Sequence, residues 1–193
     1  MRTTTVASTL ALVAALALPA ALDAQLTTPF RAGQWGAEFA ASDDFESIGL
    51  VRLFSASTAL AFNLEFSSGS QEVDDSEVEN SANAIGVSLG YRMYRPLVSN
   101  VAGHLTLGGL FQRISTSNTT GGGVETENTG SGYGPFAEIG ASYFITPNLS
   151  LGAAYGIQYL LTRTEQETPT ATTETDGYLF SSSPLSVRIS LFF

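Results

Sequence analysis

The sequence predicts an all-β chain: an eight-stranded antiparallel up-and-down transmembrane β-barrel, preceded by a cleavable signal peptide. Three observations predict it. Apolar and polar residues alternate with period two through most of the chain, the mark of strands with one face of each kind. Charged residues make up only 13%, about half the usual share of a soluble domain. Beyond the N-terminal segment, no apolar run approaches the ~20 residues of a helical span. A membrane protein without such helices must satisfy its backbone polar groups in a closed barrel.

Residues 1–24 have the order of an export signal. Arg2 supplies the positive start, Val6 to Leu18 is apolar, Pro19 breaks the run, and small residues follow at Ala20, Ala21 and Ala24. Cleavage after Ala24 leaves residues 25–193 as one barrel domain. Pro19 and Asp23 close the apolar stretch too early for an anchor helix.

The strands follow in order. Trp35, Ala37 and Phe39 alternate with Gln34, Gly36 and Glu38. Ser47 to Ser55 is the second strand, with apolar residues on both faces around Arg52. Leu60, Phe62, Leu64 and Phe66 alternate with Ala61, Asn63 and Glu65. Ile85 to Met93 alternates with Gly86, Ser88, Gly90 and Arg92. Leu105, Leu107 and Phe111 alternate with His104, Thr106, Gly108 and Gln112. Ala137 to Ile145 alternates with Glu138, Gly140 and Ser142, and Leu149 to Leu161 with Ser150, Gly152, Ala154, Gly156 and Gln158. Leu185, Val187, Ile189, Leu191 and Phe193 alternate with Ser186, Arg188 and Ser190. Each strand is expected near the 9–11 residues of a tilted membrane strand.

The connections alternate too. Ala56–Thr58, Pro96–Asn100 and Thr146–Asn148 are short, whereas Ser67–Ala82, Ser117–Gly132 and Thr164–Asp176 are long, polar and predicted as loops. Ala41–Glu46 is a modest loop on the long side. Short turns on one rim and long loops on the other is the layout of outer-membrane barrels. Both chain ends then fall on the short-turn, periplasmic rim.

The apolar face is assigned to lipid. The polar face is mostly Gly, Ser, Thr and Ala, small enough for a narrow lumen. It also carries Glu38, Glu65 and Glu138 against Arg52, Arg92 and Arg188, an expected lumen charge network of three carboxylates and three guanidiniums. Trp35, Tyr91, Tyr143, Tyr159 and Phe193 lie toward strand ends, as interfacial aromatics do. A soluble lipocalin-like periplasmic barrel, with the faces reversed, is the competing arrangement.

The segments Gly90-Tyr91-Arg92-Met93-Tyr94-Arg95-Pro96, Thr146-Pro147-Asn148-Leu149-Ser150-Leu151 and Leu185 to Phe193 resemble the OmpA/OmpX-type family of small outer-membrane barrels. That resemblance implies residence in the bacterial outer membrane, with lipid as the surroundings. It further implies a structural or adhesive role, with a narrow pore as the alternative. The terminal Phe193 resembles the signal read by the barrel-assembly machinery.

Chemistry-bearing residues are few. Cys is absent, and the single His104 excludes a His-rich metal site. A net charge of −10 argues against nucleic acid. A lipid-modifying enzyme would have to use His104 with Thr106 on its face, and no carboxylate is evident in sequence to orient it. No cofactor is expected, and the chain reads as a non-enzyme. The long connections are acidic, with Glu72, Asp74, Asp75, Glu77 and Glu79 in one of them, a candidate contact for divalent cations or a surface partner. Their spacing matches no defined calcium loop.

Overall fold

A computed structural model describes residues 30–43, 45–73, 78–119, 125–168 and 171–193. The export signal therefore lies outside the described residues. Eight strands form a closed antiparallel barrel in sequence order: β1 (Trp35–Ala41), β2 (Glu46–Leu53), β3 (Thr58–Val73), β4 (Val78–Val98), β5 (Val101–Thr119), β6 (Glu125–Thr146), β7 (Leu149–Thr168) and β8 (Ala171–Phe192). The seam is β1 against β8, running from Gly36↔Phe192 to Ala41↔Val187. Phe193 extends it, exchanging two backbone hydrogen bonds of 2.8 and 3.0 Å with Trp35.

The short turns are where their sequences predict them. Val98 pairs with Val101 across Ser99-Asn100, and Asn100 takes φ 65°, a conformation Asn tolerates. Thr146 pairs with Leu149 across Pro147-Asn148. The long connections differ from expectation: strands continue through most of them. β3–β4 pairing runs unbroken to Val73↔Val78, β5–β6 reaches Thr119↔Glu125, and β7–β8 reaches Thr168↔Ala171. Strands β4 to β8 are accordingly 19–22 residues long, about twice the length of a membrane crossing. Thr and Ser fill these segments, and Thr suits a pleated ladder even where no apolar face marks it.

β1 and β2 have only 7 and 8 residues and are joined by a tight turn in which Ser42 and Phe45 share a backbone hydrogen bond. The wall is therefore low on this side. Pairing to β2 ends at Glu46↔Phe66 and pairing of β8 to β1 ends at Val187, so β3 and β8 rise above the β1–β2 hairpin as separate edges.

Which side each strand presents follows from register. Glu38 pairs with Gly49, which turns Ser47, Val51 and Leu53 inward and Ile48, Leu50 and Arg52 outward. Val51 and Leu53 are fully buried, while Leu50 is 49% exposed. Phe39, Leu60, Phe62, Leu89, Leu107, Leu151 and Ile189 form an outward apolar belt with it. So wide a continuous apolar surface is foreign to a water-soluble monomer. It excludes the lipocalin-like arrangement. Trp35, Tyr143 and Phe193 flank the belt on the short-turn side, and Tyr133, Tyr159 and Tyr178 on the other, with the Tyr159 and Tyr178 rings stacked at 6.2 Å.

Candidate functional site

The lumen has two filled layers and a cavity above them. The lowest layer is apolar. Phe30, just before β1, inserts its ring among Tyr94, Phe144 and Phe192, with centroids 4.3, 5.1 and 5.2 Å away. Val51, Leu53, Ala59, Ala61 and Ala102 complete this floor. Space for Phe192 comes from Gly36 opposite it, where an added Cβ would stand 2.8 Å from the ring. Period-two reading overlooks the floor because it assigns every apolar residue to lipid. The signal that reveals it is two adjacent apolar residues at a strand end, as in Leu191-Phe192 and Tyr143-Phe144.

The second layer holds most of the expected charges. Arg92 Nη1 donates to both Glu38 oxygens at 2.8 Å. Arg188 forks onto Glu138, Nη1 to Oε1 at 3.0 Å and Nη2 to Oε2 at 2.7 Å. Arg92 Nη2 also reaches Glu138 at 3.4 Å, and Arg188 Nη1 lies 3.8 Å from Glu38. Two carboxylates and two guanidiniums thus form a neutral ring across β1, β4, β6 and β8. Ser190 donates to Glu38 at 3.1 Å, and Thr106 accepts from Arg92 Nε at 2.9 Å while donating to Glu138 at 3.4 Å. These hydroxyls satisfy lone pairs that the guanidiniums leave over, as a buried ion network requires.

His104 belongs to this layer. Its Nε2 is 3.5 Å from Glu138 Oε1, without the geometry of a hydrogen bond, and its ring sits edge-on to Tyr94 at 5.9 Å. Gly140 makes the room: a Cβ there would come within 2.6 Å of Nε2. The carboxylate beside His104 that sequence alone does not reveal is therefore Glu138, but it is committed to Arg188. Thr106 likewise faces Arg92 and Glu138.

Two expected network members stand elsewhere. Arg52 is not in the lumen. The β1–β2 register pairs it with Trp35 on the outside, where its Nη1 donates to the Gly33 carbonyl at 2.7 Å and its guanidinium lies 4.8 Å from the Trp35 ring centre. Glu65 is in the lumen but above the ring, with no ion-pair partner among the described residues. Its Oε1 accepts from Ser88 Oγ at 3.3 Å, which in turn accepts from Asn63 Nδ2 at 3.2 Å.

Glu65 faces a cavity of about 480 Å³ that fills the upper lumen. Its base is Glu138 and Arg188, and its walls include Phe45, Phe136, Gln112, Gln158 and Ser181. The Phe136 ring lies over Gly90 and Gly108, positions where a Cβ would stand 3.1 and 2.7 Å from it.

On the acidic rim, Glu72 and Glu79 occupy directly opposed backbone positions in the β3–β4 hairpin. Asp74, Asp75 and Glu77 lie outside the described residues. Arg163 does offset part of the rim charge, through an ion pair with Glu174 across β7–β8. No group of His and acidic side chains with metal-holding geometry occurs among the described residues.

A closed eight-stranded barrel with lipid-facing apolar belt, aromatic girdles and packed polar lumen is a small outer-membrane-type β-barrel. Its architecture is the one found in OmpA/OmpX-type proteins. Among solved structures, it is similar to a major outer membrane protein from Thermus thermophilus, with 13% identity, coverage of 83% of this chain and 99% of that one, and a TM-score of 0.60. It is similar also to CarO from Acinetobacter baumannii, with 12% identity, coverage of 84% and 98%, and a TM-score of 0.50. No protein-family model and no curated protein sequence matches the chain.

Proposed function

We propose that this chain is a structural protein of the bacterial outer membrane, exported by residues 1–24 and inserted by the barrel-assembly machinery through its Phe193 end. It supports membrane integrity and presents acidic hairpins to the exterior for surface interaction. One observation carries this reading: the lumen is occupied at two successive levels, by the Phe30 floor and by the Glu38–Arg92–Glu138–Arg188 ring. Buried side chains fill both levels, which weighs against the narrow pore.

The lipid-modifying alternative loses support as well. His104 is only 3% exposed, points into the barrel and shares Glu138 with two arginines, so no acyl chain in the bilayer reaches it. The acidic rim, including Glu72, Asp74, Asp75, Glu77 and Glu79, supports the weaker suggestion of divalent-cation contact, since hard cations prefer carboxylate oxygens.

The test is planar-bilayer recording on the purified, refolded barrel. A silent membrane supports the structural reading. Discrete conductance steps would replace it with the pore.

A further inference from the structure

Among the described residues, the lumen charges do not balance once Arg52 is outside. Glu38, Glu65 and Glu138 face Arg92 and Arg188. Both arginines are held within the ring, so the surplus negative charge belongs to Glu65. A carboxylate half-buried in a barrel is costly unless it meets a positive or hydrogen-bonding partner. The Asn63–Ser88 chain serves only Oε1. Oε2 lies beside Gly86, whose missing side chain keeps this wall thin, and both residues line the upper cavity. That cavity, of about 480 Å³, is large enough for a small organic molecule.

We propose that the upper lumen is a binding cup for a small organic cation, an amine or guanidine with an apolar body. Glu65 Oε2 accepts its N–H. Phe45 and Phe136, both on the cavity wall, are the aromatic partners for the apolar part and the charge. Gln112 and Gln158 supply further polar contacts. An anion is disfavoured because Arg188 at the base is already forked onto Glu138. The low wall over the β1–β2 turn, where Phe45 lines the cavity, is the entrance. The acidic hairpins above raise the local cation concentration. This cup is blind, so it goes beyond the structural reading without requiring a pore.

The experiment uses the mature barrel in lipid nanodiscs, titrated with benzylammonium, benzyl alcohol and benzoate, and followed by backbone amide NMR shifts at Gly86 and Ser88. Saturable shifts with benzylammonium alone support the cup. Glu65→Gln keeps the shape and removes the charge. It should weaken benzylammonium at least about tenfold, the loss expected when a hydrogen bond to a charged group becomes neutral. Heat modifiability of that variant on a detergent gel verifies that it folds. Equal binding of benzyl alcohol, which needs no variant, overturns the proposal. So does unchanged affinity in folded Glu65→Gln, absence of benzylammonium shifts, or full displacement by Na⁺ or Ca²⁺ reproducing the same shifts. Bilayer conductance is read separately, so failure here leaves the structural reading standing.

Discussion

Arg188 and Glu138 meet as a two-pronged pair, at 3.0 and 2.7 Å, although 50 residues separate them in the chain. β6 and β8 are not neighbours; the pair bridges past β7 on the inner side of the wall. It therefore ties strands that share no backbone ladder, as Arg92–Glu38 does from β4 to β1.

The first prediction concerns this tie. Arg188→Met leaves Glu138 with the longer 3.4 Å contact to Arg92 and the neighbouring His104. Removing one partner of a buried pair costs about 3–5 kcal/mol, because the other charge stays behind. Urea unfolding of the barrel in lipid vesicles should show a loss of that size. Arg188→Met combined with Glu138→Gln should recover part of it, since no isolated charge then remains.

Arg52 gives the contrasting case. Its contacts are an exposed carbonyl and the face of Trp35, on the outside of the barrel. Arg52→Ala should cost no more than about 1 kcal/mol, the range of an exposed cation–π contact. A loss equal to that of Arg188→Met in the same unfolding assay would return Arg52 to the lumen and contradict the β1–β2 register.

Gly140 is required by the ring of His104. Gly140→Ala places a methyl group 2.5 Å from both His104 Cε1 and the Ala153 carbonyl oxygen. Overpacking of this kind costs about 1–3 kcal/mol. His104→Ser should relieve only the ring's share of the strain in the double variant, since the contact with the Ala153 carbonyl remains. A double-mutant cycle measures the coupling, and additive losses would show that the two side chains do not meet.

Phe30 tests the floor. Phe30→Ala removes the ring that touches Tyr94, Phe144 and Phe192. A core Phe→Ala change costs about 3–5 kcal/mol. The temperature at which the barrel converts from its compact to its extended gel form should fall accordingly. No change would mean that β1 to β8 close without the segment preceding them.

Much of this barrel is legible from local pattern. Alternation in residues 137–161 and 185–193 states both strand and face, because successive side chains of a strand must point to opposite sides. The turns at Ser99-Asn100 and Pro147-Asn148 carry their own chemistry. Glu38, Arg92, Glu138 and Arg188 are recognisable as lumen residues from their neighbours alone, since each sits between apolar residues that need lipid.

Other features exist only once strands have partners. Apolar residues flank Arg52 on both sides, so its own strand cannot state a face; pairing with Trp35 decides it and leaves Glu65 unmatched. The Ser- and Thr-rich connections look like loops because neither of their faces is buried, and cross-strand pairing turns them into ladders. The aromatic floor depends on rings brought from Phe30, Tyr94, Phe144 and Phe192 to one end of a closed cylinder. Local sequence determines which residues must leave water. Closure determines which of them meet, because a barrel's register couples residues that the chain keeps far apart.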